Sequence, residues 1–409
     1  MSFNVFHFHP NVTGGIKAAG FVEPTPIQLK AIPSIMEGLD VMGTAQTGTG
    51  KTAAFALPIL NRLMGKTRGR IRALIIAPTR ELAEQIHLEI STLGRQTHLR
   101  SATVYGGVGF DHQVRKLKGG AEIIVACPGR LLDHMNRGYV DLSSVEALVL
   151  DEADQMFDMG FLPDIRKILK PMPPKRQTLL FSATMPAEIK RLAREVLHQP
   201  VMIQVGNPAP ADTVSHALYP VNQSAKTSLL LRLLQDTQIR SALIFTRTKH
   251  RAKSLGEKLS RAGFRSTSLQ GNLSQGRRQA ALSGFRSGKF QILVATDIAA
   301  RGIDVSRVSH VINYDIPATA EAYIHRIGRT GRAKRKGEAL SLVTSDDKVV
   351  LRAIKRIVGP NMERRVLSDF DYRSSEMSRP NLRVSPKRSM KRRYNTPAIP
   401  SGEHSKSLR

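Results

Sequence analysis

Residues Ala45 to Thr52 read Ala-Gln-Thr-Gly-Thr-Gly-Lys-Thr, and this run constrains the chain more than any other. Before it, Leu39-Asp40-Val41-Met42 reads as a short buried strand; after it, Ala53-Ala54-Phe55-Ala56-Leu57 reads as the opening of an apolar helix. Strand, glycine-rich turn and helix is the setting of a phosphate-binding loop. Its glycines let backbone N–H groups converge on phosphate oxygens, and the helix N-terminus adds the positive end of its dipole. Lys51 would reach the β- and γ-phosphates, and the Thr52 hydroxyl would sit on Mg²⁺. Ala45 stands where such loops usually begin with glycine. The bland alternative is a chance glycine-rich turn, and a matching acidic strand end downstream argues against it.

At 409 residues the chain is long enough for two or more domains with substantial cores. Its formal charge of +29 points to a polyanionic partner, nucleic acid before anionic membrane. The charge is uneven. Residues 1–206 carry 24 Lys and Arg against 18 Asp and Glu, residues 207–376 carry 29 against 14, and residues 377–409 carry 9 against 1. The second half is therefore the expected grip on polyanion. With Cys127 as the one cysteine, no intramolecular disulfide can form, and no Cys/His cluster suggests zinc. Met1 to Pro10 lack a basic region followed by an apolar stretch, so no secretory signal is expected. No run approaches the roughly 18 apolar residues of a membrane span. A soluble, cytoplasmic protein without a membrane partner is the expectation.

Apolar runs alternate with helical patterns along the chain. Ala73–Ala77, Ala102–Tyr105, Glu122–Ala126, Ala147–Leu150 and Thr178–Phe181 read as strands. They end at Pro78-Thr79-Arg80, Gly106-Gly107, Cys127-Pro128-Gly129-Arg130, Asp151-Glu152-Ala153-Asp154 and Ser182-Ala183-Thr184. Such alternation predicts an α/β fold whose mostly parallel sheet is covered on both faces, with ligands at the carboxyl ends of the strands. Asn207 to Asp212 is the expected linker, between a first domain over 1–206 and a second over 213–370. In the second, Ala242–Phe245, Gln291–Ala295 and His310–Tyr314 read as strands, and there is no second phosphate loop. Residues 371–409 are basic, polar and poor in apolar groups, and are expected to be disordered.

Three clusters carry chemistry. Asp151 and Glu152 follow an apolar strand, where a nucleotide hydrolase needs one carboxylate to hold Mg²⁺ and another to deprotonate water. Gln28 opens a helix running towards Met36, and its amide can donate to and accept from one base edge at once. In His325-Arg326-Ile327-Gly328-Arg329-Thr330-Gly331-Arg332, arginines recur every third residue. Their guanidinium groups suit a γ-phosphate during transfer, or RNA phosphates as the alternative. A phosphate loop in one domain and an arginine finger in the other would place the site in a cleft.

In order and wording these motifs resemble those of the DEAD-box RNA helicases, superfamily 2 enzymes with two tandem RecA-like domains. Gln28, with Phe3, Phe21, Pro24 and Thr25, resembles the adenine-selecting Q motif (residues 1–29). Ala45–Thr52 is similar to motif I, whose family form also begins with alanine. Pro78–Leu82 resembles motif Ia, Asp151–Asp154 the family's signature tetrad, and Ser182–Thr184 motif III. Leu243–Thr246 resembles motif IV, Gln275 with Arg278 motif IVa, Ala295–Asp304 motifs V and Va, and His325–Arg332 motif VI. The wording of motif I and the brief basic tail look most like the bacterial RhlE-type branch.

The resemblance implies an RNA-dependent ATPase that couples ATP binding and hydrolysis to RNA-strand binding and local unwinding or remodelling of short duplexes. Implied for catalysis are Lys51, Asp151, Glu152, His325, Arg329 and Arg332. Implied for ATP are Phe3, Phe21, Thr25, Gln28, Ala45, Gln46, Thr47, Gly48, Thr49, Gly50, Lys51, Thr52 and Asp304, with Thr52 and Asp151 for Mg²⁺. RNA-backbone contacts are implied for Pro78, Thr79, Arg80, Gly107, Gly129, Arg130, Gly271 and Thr296. Asp154, Ser182 and Thr184 would couple hydrolysis to strand separation. The partner is RNA, single strands and short duplexes, in ribosome-assembly or RNA-degradation complexes. Rival readings are an ATP-gated RNA clamp with little unwinding and a DNA translocase. One departure stands out: the family's Thr-Pro-Gly-Arg is Cys127-Pro128-Gly129-Arg130 here. A thiol is a weak donor. Cys127→Thr is expected to tighten RNA binding modestly, about two- to threefold; an unchanged or weaker affinity at fixed salt would contradict this.

Overall fold

The computed structural model describes residues 2–45, 48–65, 68–205, 214–236, 239–300, 308–331, 337–359, 362–368 and 370–372. The expected linker at 207–212 and the tail from 373 onward lie outside them. The first sheet contains β1 (Val41–Thr44), β2 (Ala73–Ile76), β3 (Ser101–Val104), β4 (Ile123–Ala126), β5 (Ala147–Leu150), β6 (Gln177–Ser182) and β7 (Val201–Gln204). The second contains β8 (Val214–Pro220), β9 (Ala242–Phe245), β10 (Ser266–Leu269), β11 (Ile292–Ala295), β12 (His310–Asn313), β13 (Gly337–Val343) and β14 (Met362–Arg364). The strand orders are β3-β4-β2-β5-β6-β1-β7 and β10-β11-β9-β12-β13-β8-β14, the same order position for position. The strands run parallel, and helices separate successive strands as crossover connections require. These are the tandem RecA-like domains that the resemblance implies.

The central strands are apolar on both faces because both faces are covered. In β2, Ala73 and Ile75 pack into one core with Val149, Leu179, Phe181 and the helix Lys51–Leu63. Leu74 and Ile76 pack into the opposite core with Leu148, Leu150 and Leu180. Side chains of a strand alternate, so a buried parallel strand reads as one continuous apolar run. No helix among the described residues is long and apolar enough to cross a membrane.

Strand β1 delivers the phosphate loop, and the structure shifts its start from Leu39 to Val41. The reason is Asp40. Its buried carboxylate accepts the backbone N–H of Thr178 and that of His198, each at 2.7 Å. Asp40 thus pins the entry of β1 to the entries of its two neighbours in the sheet instead of extending the strand. Asp40→Ala would leave the buried Thr178 N–H without an acceptor and release the more exposed His198 N–H, at a cost of roughly 1–3 kcal/mol. Chemical denaturation is expected to show that loss with an unchanged slope; a loss under about 0.5 kcal/mol would contradict it.

Candidate nucleotide site and nucleic-acid cleft

The loop after β1 is held by its own side chains. Lys51, the first residue of the helix Lys51–Leu63, is 5% exposed, and its Nζ donates to the Ala45 carbonyl at 3.0 Å. The same Nζ lies 3.8 Å from Oδ1 of Asp151, which directly follows β5. Gln28 is also buried: its Oε1 accepts the Thr25 N–H at 2.8 Å and its Nε2 donates to the Gly50 carbonyl at 3.1 Å. Gly50 has φ +93°, and a Cβ there would fall 2.6 Å from Gln28 Nε2. Only glycine fits, so the glutamine that suits an adenine edge also braces the phosphate loop. Phe3 is buried edge-on against Phe21, with ring centroids 6.0 Å apart, behind the helix that carries Gln28. Gly48 also has positive φ, and Thr49 and Thr52 complete the described part of the loop; Gln46 and Thr47 lie outside the described residues.

The acids Asp151, Glu152 and Asp154 follow β5, and Ser182 and Thr184 stand at the carboxyl end of the neighbouring β6. Burial pushes the Asp151 carboxyl up to about 6, Lys51 pulls it down and Glu152 pushes it further up. Glu152 adopts φ +52°, a left-handed conformation that costs a non-glycine residue of order 1–3 kcal/mol and that gathers at functional sites. Asp154 Oδ2 accepts both the backbone N–H and the hydroxyl of Thr184, at 2.8 and 2.9 Å. Ser182 Oγ accepts the Asp154 N–H at 3.1 Å and donates to the Thr184 carbonyl at 2.7 Å. The segment after β5 is thereby locked to the segment after β6.

The second domain faces this edge. His325 Nε2 lies 3.9 Å from Asp154 Oδ2. A cavity of about 30 Å³ is walled by Gln155 from the first domain and by Asp297, His325, Arg326 and Arg329 from the second. The three arginines of the motif therefore differ. Arg326 is buried and consumed by structure: it grips Asp297 at 2.6 and 2.7 Å and donates to Asn313 and the Asp315 carbonyl. Arg329 shares the cavity wall with Gln155, the residue after Asp154. Arg332 and Asp304 lie outside the described residues.

A second cleft, of about 520 Å³, also runs between the domains. Pro78, Thr79, Arg80, Gly129, Arg130, Gly271 and Thr296, all expected at RNA, line it, as does Cys127. Gly107 is not among the lining residues, but it abuts one: a Cβ there would fall 1.9 Å from the Arg80 guanidinium. Desolvation pushes the Cys127 thiol up to about 12, so it faces the cleft as a neutral group. Sequence reasoning missed Glu81, Phe161, Arg247 and Lys249, which share the cleft. It also missed the ion pair that closes it, Arg278 Nε to Glu81 Oε1 at 2.7 Å across 197 residues. The pattern gave the ends of strands but no sign of which ends meet.

A phosphate loop on one RecA-like domain, an arginine helix on the other and a basic cleft along the seam define a nucleotide-driven nucleic-acid motor. Comparison with known proteins is specific. A family model described as DEAD/DEAH box helicase matches residues 25–192, and one described as helicase conserved C-terminal domain matches residues 225–334. The chain is 44% identical over 362 residues to the ATP-dependent RNA helicase CshA of Listeria monocytogenes, covering 88% of this chain and 69% of that protein. It is 45% identical over 358 residues to the DEAD-box ATP-dependent RNA helicase RhpA of Helicobacter pylori, covering 87% and 72%. Its fold is similar to that of S. cerevisiae Dbp5 bound to RNA and ADP BeF3, with a TM-score of 0.80, 32% identity, and 89% and 95% of the two chains covered. The chain belongs to the DEAD-box family and is an ATP-dependent RNA helicase.

Asp151 gives a test of the site's electrostatics in the ligand-free protein. Its folded pKa of about 6 exceeds the ordinary 3.8, so between those values the folded state holds the extra proton. Its contribution is therefore favourable below about pH 4 and is lost as pH rises to about 6, by roughly 2–3 kcal/mol in all. The stability difference between wild type and Asp151→Asn should shift in the variant's favour by that amount from pH 4 to pH 7, measured by denaturation. A pH-independent difference would contradict the assignment.

Proposed function

We propose that ATP lies on the loop Ala45–Thr52, with adenine against Gln28, Phe21 and Thr25 and the γ-phosphate between Lys51 and Arg329. The observation that carries this reading is the buried Lys51–Asp151 pair, whose carboxylate sits at the end of the strand adjoining the loop's own sheet neighbour. The donor set suits Mg²⁺ rather than a protein-caged metal. No cluster of three or more His, Cys, Asp or Glu fit to hold a metal occurs among the described residues, and an ion bridging phosphates needs only one or two protein ligands. Asp151 and Thr52 would supply them, and the ion would neutralise charge on the phosphates. Glu152 accepts the proton of the attacking water. Arg329 and His325 approach from the second domain, and with Arg332 they would stabilise charge spreading over the transferred oxygens.

RNA lies in the larger cleft, held by its backbone through Thr79, Arg80, Arg130, Gly107, Gly129, Gly271 and Thr296, with Pro78 shaping the wall. Backbone contacts position a strand without reading its sequence, so little base preference is expected. Asp154, Ser182 and Thr184 tie the acids to the seam, so that closure around ATP and closure around RNA are one event. Domain limits of 1–206 and 213–370 with a linker at 207–212 suit such a closure. The wording of motif I supports an RhlE-type position within the bacterial members, and ribosome-assembly or RNA-degradation complexes fit as settings.

Lys51→Ala and Glu152→Gln are each expected to reduce RNA-stimulated ATPase by at least about 100-fold while RNA still binds. Turnover retained in Glu152→Gln would remove Glu152 as the base. Turnover retained in Lys51→Ala would remove the loop as the site.

A further inference from the structure

The second domain contains a copy of the first domain's lysine–aspartate pair. Because the sheets share one strand order, β8 occupies the place of β1 and β12 the place of β5. Lys51 is the first residue of the helix after β1, and Lys226 is the first residue of the helix after β8, Lys226–Asp236. A threonine follows each, Thr52 and Thr227. Lys51 Nζ lies 3.8 Å from the acid that follows β5, and Lys226 Nζ lies 3.7 Å from Oδ1 of Asp315, just beyond β12. Each ammonium also donates to a backbone carbonyl, Ala45 at 3.0 Å and Tyr314 at 2.9 Å.

The copy differs in what fills it. No glycine loop precedes Lys226; the chain reads Val221-Asn222-Gln223-Ser224-Ala225. Instead, Arg251 Nη1 donates to Asp315 Oδ1 at 2.6 Å, and the backbone N–H of Arg247 donates to Oδ2 at 2.8 Å. An internal guanidinium thus stands against the carboxylate of the second pair. Lys226 and Asp315 are both nearly inaccessible, which removes them from solvent screening.

We propose that Asp315 is a positioning residue that couples the RNA cleft to the nucleotide site. It has two handles. Its carboxylate fixes the segment Arg247–Lys249, whose side chains line the RNA cleft. Its carbonyl accepts Arg326 Nη1, on the helix Ala320–Ile327 that also presents His325 to Asp154 and leads into Arg329. RNA that pulls on Arg247 moves the same residue that holds the arginine helix. Lys226 and Arg251 keep the handle rigid by saturating its charge.

This rests on the assignment of Arg329 to the nucleotide, so the test measures coupling directly. RNA affinity is measured with and without a non-hydrolysable ATP analogue, for wild type, Asp315→Asn and Arg251→Gln. In wild type the analogue tightens RNA binding. Asp315→Asn should keep RNA affinity without nucleotide within about twofold but lose about tenfold of the tightening, with an equal loss in analogue affinity when RNA is present. Arg251→Gln, which leaves the Lys226–Asp315 pair, should lose about threefold. A merely structural role would weaken RNA binding equally with and without nucleotide, and that result, or full coupling in both variants, would overturn the proposal. If Asp315→Asn does not fold, Arg251→Gln decides alone: reduced coupling supports the proposal and unchanged coupling overturns it. Absence of any coupling in wild type would instead strike the nucleotide-site reading.

Discussion

Two opposite charges removed from water, Lys51 and Asp151, hold the first domain's chemistry in place. Taking both ions out of solvent is costly, and their attraction offsets that only partly, which is why burial still pushes Asp151 up to about 6. A fold that existed for stability alone would do better with apolar side chains here. The pair makes sense as a site prepared for a third charge: phosphate oxygens would meet the lysine, and a cation would meet the aspartate. The strained backbone of Glu152, next in the chain, is consistent with a segment shaped for reaction rather than for packing.

Much of this was legible in the sequence, and the rest was not for identifiable reasons. Central strands β2, β5 and β9 were found within a residue because both faces are buried and the run is uniformly apolar. β7, β8, β10, β13 and β14 escaped notice. β7 lies at the sheet edge and exposes Met202, while β10 reads Ser-Thr-Ser-Leu, with neither an apolar run nor clean alternation. The phosphate loop and the acids were read from local wording, and the expected RNA contacts came from the resemblance. What wording could not supply was distance. That Glu81 meets Arg278, or that Gln28 braces Gly50, depends on how separate elements pack. The paired Lys226-Thr227 at a helix start after a strand was visible, but without glycines it carried no phosphate signal.

The seam explains why hydrolysis and RNA grip belong together. The residues proposed for nucleotide and those proposed for RNA lie at the carboxyl ends of strands in the same two sheets, so one closure of the domains would act on both clefts. The Arg278–Glu81 pair lies at one cleft and the His325–Asp154 contact at the other. Both contacts join the domains, and both depend on the same relative placement. Ligands that favour this closed arrangement must favour each other by the same factor. The repeated lysine–aspartate pair gives that coupling a structural basis, since one domain uses it to await a ligand and the other has closed it with its own arginine.

On this reading nucleotide is sandwiched between Lys51 on one domain and Arg329 on the other. A crystal structure with a non-hydrolysable ATP analogue and an oligoribonucleotide tests it most directly. The Arg329 guanidinium is expected within hydrogen-bonding distance of the terminal phosphoryl group, opposite Lys51 Nζ. A terminal phosphoryl group held by Lys51 alone, with Arg329 turned towards RNA or solvent, would contradict it.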